Sequence, residues 1–302
     1  MKLFYPVYTL DNRPLLPEGA DLSAQTLEDL ISSGPSKPYK SYPLLEYGSV
    51  KKDLLRQMGK PPYDFIFSCR EETEGLMDLM KNVRLLSPVL ESLDYFKKDD
   101  YHTYCHILMV FALSGLITID LLEDYQEWID QISIGPTHDI GKICVPLDIL
   151  NKATPLTRAE KSLIDHHTIA GYVLLSYFHK DPKNAGALVS RDHHERKDGS
   201  GGPRGIKLRN RAVEIVVACD VYDALIAPRP YRAAAYDNRT ALEEITKMAE
   251  MNKIGLEVVK SLVAHNRSIK PQYSEVKVST EKRGVPPAGN FYGVFDETGG
   301  DS

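Results

Sequence analysis

The chain has 302 residues, 42% of them hydrophobic and 26% charged, and its formal net charge is −5. This composition is normal for a globular protein with a sizeable core, and the negative charge argues against an extended surface for DNA or RNA. No window approaches the ~20 apolar residues of a membrane span, and the N-terminus has no apolar stretch long enough for a signal peptide. No two cysteines have CxxC spacing, and we expect reduced thiols at Cys69, Cys105, Cys144 and Cys219. We therefore predict a cytoplasmic protein without a membrane span.

The N-terminal residues differ in character from the rest of the chain. Residues 3–10 have the composition of a short strand, although Pro6 would suit only an edge strand, and residues 22–31 have the pattern of a helix with Ser23 as its N-cap. Nothing in this segment has catalytic spacing. We predict a small α/β domain over residues 1–65 that regulates the protein or docks a protein partner.

From about residue 71 the sequence becomes helical, because apolar residues recur at spacings of three and four. The pattern predicts helices over 74–96, 100–116, 121–134, 157–178, 184–196, 211–226, 239–251 and 256–264. We predict a helical linker over 66–99, a helical bundle that binds metal over 100–268, and a polar tail over 269–302. The predicted fold class is therefore mainly α, with a small N-terminal α/β domain.

Histidines are concentrated in the middle of the chain, where eight of nine lie between His102 and His194. The adjacent pair His138-Asp139 offers a metal an imidazole nitrogen and a carboxylate, and the two carboxylate oxygens can bridge two cations. Such a pair is common by chance and proves nothing alone. If the segment is helical, Lys142 lies on the same face as His138.

Further candidate ligands lie on other predicted helices. Each has an ordinary alternative: a histidine on an apolar helix is usually a hydrogen-bonded core residue, and a buried aspartate can pair with an arginine. However, Asp220 follows four apolar residues, and burying a carboxylate without a cation costs several kcal/mol. Five histidines and two aspartates from different helices suit two metals in a bundle core, with Fe, Mn, Ni or Zn favoured over Mg or Ca. The candidate ligands are His106, His138, Asp139, His167, His193, His194 and Asp220.

Several motifs follow one another in a characteristic order between about residues 100 and 265. They are His138-Asp139-Ile140-Gly141-Lys142, His167 with Gly171, His193-His194-Glu195-Arg196-Lys197-Asp198-Gly199-Ser200-Gly201, Asp220-Val221-Tyr222-Asp223-Ala224-Leu225 and Arg229-Pro230-Tyr231-Arg232. This series resembles the HD-GYP domain, a branch of the HD phosphohydrolases associated with the hydrolysis of cyclic di-GMP. The first 60 or so residues are not covered by the resemblance.

The resemblance implies a dinuclear metal centre, most often of iron. It makes His106, His138, Asp139 and Asp220 ligands of one ion, and Asp139, His167, His193 and His194 ligands of the other, with Asp139 bridging. It also implies that Lys142 contacts the scissile phosphate or the attacking hydroxide. Arg229 and Arg232 would grip phosphate oxygens, although the two arginines could also belong to a surface turn between prolines.

The chain departs from the family pattern in three places. The Gly-Tyr-Pro tripeptide that gives the family its name is Gly201-Gly202-Pro203 here, so a substrate-facing tyrosine is absent. Some members bind a third metal through a glutamate where this chain has His102, and we therefore expect two metals. Residues 135–137, immediately before the His-Asp pair, are Gly-Pro-Thr instead of the usual apolar residues and should distort the entry to that segment.

We therefore predict a metal-dependent phosphodiesterase for cyclic di-GMP or a related cyclic dinucleotide, with Lys142 and Asp139 as catalytic residues. Activity is expected to be slow, because Gly202 removes a hydrogen bond to substrate. The first alternative is a catalytically impaired receptor for cyclic di-GMP or another nucleotide that signals through the N-terminal domain. A second is an HD phosphohydrolase acting on a different nucleotide.

Overall fold

A computed structural model describes residues 1–229, 234–279 and 281–287 of the chain. The fold is mainly α, as predicted. Within the described residues the helices are α1 Ala24–Ser32, α2 Val50–Met58, α3 Arg70–Met80, α4 Ser87–Asp99, α5 Tyr101–Leu121, α6 Tyr125–Ile132, α7 Leu147–Leu150, α8 Arg158–Asp165, α9 His167–His179, α10 Ala185–Asp192, α11 Arg211–Ile226, α12 Asn238–Glu250 and α13 Leu256–His265.

Short strands and 3-10 helices complete the described elements. The antiparallel pairs are β1 Val7–Tyr8 with β2 Pro14–Leu16, and β3 Ser41–Pro43 with β4 Arg84–Leu86. The 3-10 helices are Leu44–Glu46, Gly135–Thr137, Ile140–Cys144 and Tyr273–Glu275. Gly135–Thr137 and Ile140–Cys144 flank the His138-Asp139 pair, which is therefore held in tight turns and not in an α-helix.

Two predicted helices are interrupted. The helix expected over 74–96 is divided into α3 and α4, because β4 lies between them and pairs with β3, with Ser41 opposite Leu86. The helical spacing of apolar residues continues through the strand because Val83 and Leu86 are three residues apart, although the buried residue of the strand itself is Leu85. The helix expected over 157–178 is divided at His166, which lies between α8 and α9 and belongs to neither.

The bounds of other predicted elements agree with the structure to different degrees. The strand expected over 3–10 is reduced to Val7–Tyr8, since Pro6 cannot donate to a strand ladder. Ser23 caps α1, as predicted, by accepting a hydrogen bond from the backbone N–H of Thr26. The prediction for α11 agrees at both ends.

Helix α5 is the central helix of the bundle, and it packs against α2, α4, α6, α11 and α13. Its length of 21 residues, with a mean hydropathy of 1.8 in an 18-residue window, would suffice for a membrane span, so the prediction that no window approaches one was wrong. In the structure 78% of its apolar window is buried. That burial is typical of the core helix of a soluble protein.

The N-terminal residues pack directly on the bundle. Helix α1 contacts α9, and α2 contacts α5. One hydrophobic cluster includes Leu54 from the N-terminal side and Leu113 from the bundle. The division of the chain into domains, with a boundary at residue 65, stays a prediction.

Two glycines allow the His-Asp segment to lie against α9. A Cβ on Gly141 would overlap the carbonyl oxygen of His167 and the backbone nitrogen of Gly171, and a Cβ on Gly171 would overlap the hydroxyl of Ser190. Because these neighbours are mostly backbone atoms, they cannot rotate away. The close approach places Asp139 beside the start of α9.

We predict that Gly141→Ala lowers the free energy of unfolding by about 1–3 kcal/mol, since the added methyl group forces the segment away from α9. The matched control is Gly75→Ala on the exposed face of α3, where no described atom lies within 4 Å of the added Cβ. This control should stabilise the protein by roughly 0.5–1 kcal/mol, the usual gain for alanine in a helix. Urea unfolding measures both, and equal stability of Gly141→Ala and wild type would contradict the packing described.

A partly buried ionic cluster connects α3, α5 and α13 away from the seven candidate ligands. His265 Nε2 lies 3.1 Å from Asp120 Oδ2, and His265 Nδ1 lies 3.5 Å from Glu72 Oε2. Ser261 donates to the same Asp120 oxygen, and Lys270 donates to the backbone carbonyl of His265. Burial alone would lower the pKa of His265, but the two carboxylates outweigh it and raise the pKa to about 9.

This raised pKa predicts a pH-dependent contribution to stability. The folded pKa lies above the value of about 6.5 in the unfolded chain, so the contribution is complete below pH 6.5 and is lost as pH rises through 9. We expect wild type to exceed His265→Gln in free energy of unfolding by about 1–3 kcal/mol at pH 6, and by much less at pH 9.5. Measuring the difference in the presence of a chelator excludes changes in metal binding, and a pH-independent difference would contradict the prediction.

Candidate metal centre

The structure brings all seven predicted ligands together at one end of the bundle. His106 is on α5, Asp220 is on α11, and His138-Asp139 lies between two 3-10 helices. His167 begins α9, and His193 and His194 follow α10 directly. The candidate ligands form two groups, and within each group the potential ligand atoms all lie within 4.8 Å of one another. The first group is His106, His138 and Asp220, and the second is His167, His193 and His194.

Asp139 lies between the two groups and directs one oxygen towards each. Its Oδ1 is 3.2 Å from Nε2 of His167 and 3.9 Å from Nε2 of His193. Its Oδ2 is 3.5 Å from Nε2 of both His106 and His138. A carboxylate that faces two sets of imidazole nitrogens in this way has the arrangement of a bridging ligand.

Four of the histidines are oriented by hydrogen bonds from Nδ1. His138, His167 and His193 lie 2.8, 2.5 and 2.9 Å from the backbone carbonyl oxygens of Gly135, Ile164 and Ser190. His106 Nδ1 lies 2.6 Å from the carboxylate of Asp223. Because these acceptors require a proton on Nδ1, each neutral ring presents the lone pair of Nε2 to the centre.

The inward nitrogens face one another in pairs, and in the tautomer with the proton on Nδ1 neither member of a pair has a proton to donate. Nε2 of His106 is 3.3 Å from Nε2 of His138, and Nε2 of His167 is 3.1 Å from Nε2 of His193. With the protons on Nδ1, two lone pairs face each other in each pair, and no hydrogen bond can form. Two nitrogen ligands of one ion, each about 2.1 Å from it, are separated by roughly 3.0–3.4 Å. The donor set and its spacing therefore fit a cation in each group.

The electrostatics of the site keep four of its candidate ligands, His193, His194, Asp139 and Asp220, in the forms that bind metal, whereas hydrogen bonds to Asp220 and Asp223 outweigh burial and raise the pKa of His106. Burial lowers the pKa of His193 to about 3, with a further contribution from His167, and lowers that of His194 well below its usual value. Burial opposes ionisation of Asp139 and Asp220, but Lys142 and the imidazoles lower the pKa of Asp139, and His106 lowers that of Asp220. Neutral imidazoles and ionised carboxylates are what a divalent cation requires.

Lys142 contacts the centre through Asp139 and not through His138. Its Nζ lies 2.5 Å from Asp139 Oδ2, three residues away along the 3-10 helix. The side chain is 16% exposed and lines the adjacent cavity. The shared face with His138, expected only if the segment were α-helical, does not apply, because the segment consists of 3-10 turns.

Asp223 is a site residue to which sequence analysis gave no role. It is fully buried, and besides His106 it accepts a hydrogen bond from the phenol of Tyr63. Nη2 of Arg229 lies 3.6 Å from its Oδ2. An aspartate three residues after Asp220 shares its helix face, which is the signal that could have found it.

The structure describes two of the three other residues that the sequence analysis discussed near the centre, Arg229, Arg232 and His102. Arg229 lines the cavity beside the centre, although its nearest carboxylate is Asp223. Arg232 lies outside the described residues. His102 is exposed on the first turn of α5 and belongs to neither ligand group found in the described part of the chain.

A cavity of about 600 Å³ opens onto the ligands and is rich in cationic side chains. It is bordered on one side by Asp139, Asp220 and their histidine neighbours, and on the other by the loop that contains Gly202. The basic residues that line it are Lys142, Lys152, Lys161, Arg196, Arg229 and Lys253. Positive walls beside a metal-binding floor suit a phosphorylated ligand.

Glu195 holds the Gly202 loop in place, a role that the sequence did not indicate. Its buried carboxylate accepts hydrogen bonds from the backbone N–H groups of Arg204, at 2.7 Å, and Ile206, at 3.0 Å. Gly201 packs so tightly on the backbone after His194 that a Cβ would overlap it. At Gly202, by contrast, no described atom lies within 4 Å of an added Cβ.

Comparison with known proteins gives a match to the HD domain family over residues 119–258. A cyclic di-GMP phosphodiesterase from Thermotoga maritima is 36% identical over 169 residues, which cover 55% of this chain and 44% of that protein. A 3'3'-cGAMP-specific phosphodiesterase from Vibrio cholerae is 38% identical over 99 residues, which cover 32% of this chain and 21% of that protein. The chain thus spans less than half the length of these curated relatives.

Among solved structures, an HDG"Y"P protein from Bdellovibrio bacteriovorus is similar at 16% identity and a TM-score of 0.44, over 90% of this chain and 96% of that chain. The residues that match the HD domain contain every candidate ligand except His106. Residues 119–258 therefore match the HD domain family, and the motifs of the chain resemble those of its HD-GYP branch.

Proposed function

We propose that this protein is a metal-dependent phosphodiesterase that hydrolyses a cyclic dinucleotide, with cyclic di-GMP as its substrate. The observation that carries the proposal is the position of Asp139, which directs one oxygen to each of two imidazole groups at the floor of a cationic cavity. The relatives named as cyclic di-GMP and 3'3'-cGAMP phosphodiesterases support this substrate class.

In this proposal His106, His138 and Asp220 hold one divalent ion, and His167, His193 and His194 hold a second, with Asp139 shared. Iron is our first choice, and manganese, nickel and zinc suit the same nitrogen-rich set. When bound, the ions supply Lewis acidity, which lowers the pKa of water and neutralises charge on phosphate oxygens.

The side chains of the protein have separate tasks in this proposal. Lys142 fixes the Asp139 carboxylate at 2.5 Å and adds positive charge beside the floor of the cavity, where negative charge develops during hydrolysis. Arg229 and Arg232 are proposed to bind phosphate oxygens, a task suited to the guanidinium fork. The backbone carbonyls behind the histidines keep the ligand nitrogens aimed inward without rearrangement during the reaction.

A second candidate function is a receptor that binds the cyclic dinucleotide and turns it over slowly or not at all. It is favoured by Gly202, because at this position no side chain reaches the cavity where the family has a tyrosine. In that case the N-terminal residues would pass the bound state to a protein partner. The four free cysteines agree with the cytoplasmic location that we propose for either function.

The first test is turnover of cyclic di-GMP and 3'3'-cGAMP by protein loaded with iron or manganese under reducing conditions. We expect linear dinucleotide or GMP from wild type, and a loss of more than about a hundredfold in His138→Ala and Asp139→Ala, since each removes a metal ligand. His179→Ala is the matched control, because His179 lies at the far end of α9 from His167. Tight binding without product would favour the receptor, and product formation unchanged by His138→Ala would refute the proposed centre.

The second test restores the missing tyrosine. We expect Gly202→Tyr to increase the rate by ten- to a hundredfold, because one hydrogen bond to a charged group contributes about 1.5–3 kcal/mol and the position has room for a side chain. Gly202→Phe is the control that adds the ring without the hydroxyl. Equal rates for Gly202→Tyr and wild type, at equal metal content, would show that this position does not limit activity.

A further inference from the structure

The loop between α2 and α3 is held firmly by the C-terminal helices. The side-chain amide of Asn238 donates to the carbonyl of Pro62 at 2.9 Å. Lys270 donates to the carbonyls of Phe65 and Ile66 at 2.8 and 2.9 Å. Tyr63, between these anchors, is only 5% exposed and points into the bundle. These contacts tie the loop to the C-terminal part of the chain, with Tyr63 beside Asp223 of α11.

From this position Tyr63 reaches the hydrogen-bond network behind the metal centre. Its phenol oxygen lies 2.5 Å from Oδ1 of Asp223. The other oxygen of Asp223 is 2.6 Å from Nδ1 of His106, whose Nε2 lies 3.1 Å from Oδ1 of Asp220. A continuous chain of contacts thus joins the N-terminal loop to a candidate ligand.

The phenol satisfies an oxygen that would otherwise be costly to bury. Asp223 is fully buried, and a buried carboxylate needs partners on both oxygens. Burial and the neighbouring carboxylate raise the pKa of Tyr63 well above its usual value, so the phenol stays protonated and donates. Without this donor the carboxylate is free to rotate towards Arg229, whose Nη2 is 3.6 Å from Oδ2. The hydrogen bond to His106 would then lose its alignment.

We propose that Tyr63 is a positioning residue for the metal site formed by His106, His138 and Asp220, and that it acts through Asp223. The N-terminal part of the chain would then complete the metal centre, beyond the docking or regulatory role expected from its sequence. The inference rests on the proposed metal centre. Neither Tyr63 nor His106 lies within residues 119–258, which match the HD domain family.

Tyr63→Phe tests the proposal because it removes one hydroxyl and keeps the ring. The matched control is Tyr222→Phe, which removes another largely buried phenol, bonded to Asn266 at 3.1 Å, from the residue next to Asp223. Metal binding is measured on the purified full chain, without substrate, by titrating Mn²⁺ or Co²⁺ against a competing chelator. The visible spectrum of bound Co²⁺ reports the ligand geometry as well.

We expect Tyr63→Phe to lower the affinity for one ion about tenfold and to leave the affinity for the other ion unchanged. Tenfold is the lower end of the range for residues that hydrogen-bond to metal ligands. The Co²⁺ spectrum of the weakened site should shift, and Tyr222→Phe should bind both ions within about twofold of wild type. Wild-type affinity for both ions in Tyr63→Phe, or equal weakening of both ions in both variants, would overturn the proposal. Wild type that binds no metal would instead refute the proposed function.

Asp223→Asn provides a second, independent variant. If Tyr63 acts through Asp223, adding Tyr63→Phe to Asp223→Asn should change metal affinity by less than twofold, whereas independent effects would multiply. Thermal unfolding without metal shows whether Tyr63→Phe folds. If Tyr63→Phe does not fold, Asp223→Asn tests the proposal by itself. Unchanged metal affinity at both sites in Asp223→Asn would then overturn the proposal that Asp223 positions His106.

Discussion

The structure of the site depends on the burial of one carboxylate, that of Asp139, among imidazole nitrogens that are themselves buried. A carboxylate removed from water must be paired, and Lys142 pairs with only one of its oxygens at 2.5 Å. The other oxygen faces His167 and His193, whose inward nitrogens cannot bond to each other. Candidate ligands from five separate segments meet at this point, and cations in the two groups, as proposed, would satisfy the carboxylate and the imidazoles together.

The interruptions of the helices orient the ligands. His138, His167 and His193 each bond through Nδ1 to the carbonyl oxygen three residues earlier, those of Gly135, Ile164 and Ser190. In the interior of an α-helix those carbonyls would accept backbone N–H groups, but at helix ends and in 3-10 turns they lack helical partners. Three ligand rings are therefore oriented in the same way, by a histidine placed just after the end of a helix or 3-10 turn. His106 lies inside α5, where the backbone carbonyls are already bonded, and its Nδ1 is instead oriented by the side chain of Asp223.

The cavity and the N-terminal residues are connected to this centre by different means. Glu195 shapes the Gly202 loop through two backbone N–H groups, so the cavity wall depends on one buried carboxylate. The N-terminal segment contributes Tyr63 and packs α1 and α2 on the bundle, so the surroundings of the site extend beyond the matched family region. The site thus combines candidate ligands that lie mostly within the matched region with a supporting contact, from Tyr63, that lies outside it.

The sequence by itself determined the mainly helical fold, the bounds of α11 and the identity of the seven clustered side chains, because helical periodicity and the spacing of histidines are local properties. Only the tertiary structure decided that β4 divides a predicted helix, since pairing with β3 is a contact between residues more than 40 positions apart. It also decided the partner of Lys142 and the roles of Asp223, Glu195 and Tyr63. These roles are hydrogen bonds across segments distant in sequence, and no spacing along a chain encodes which buried carboxylate a distant phenol or imidazole will meet.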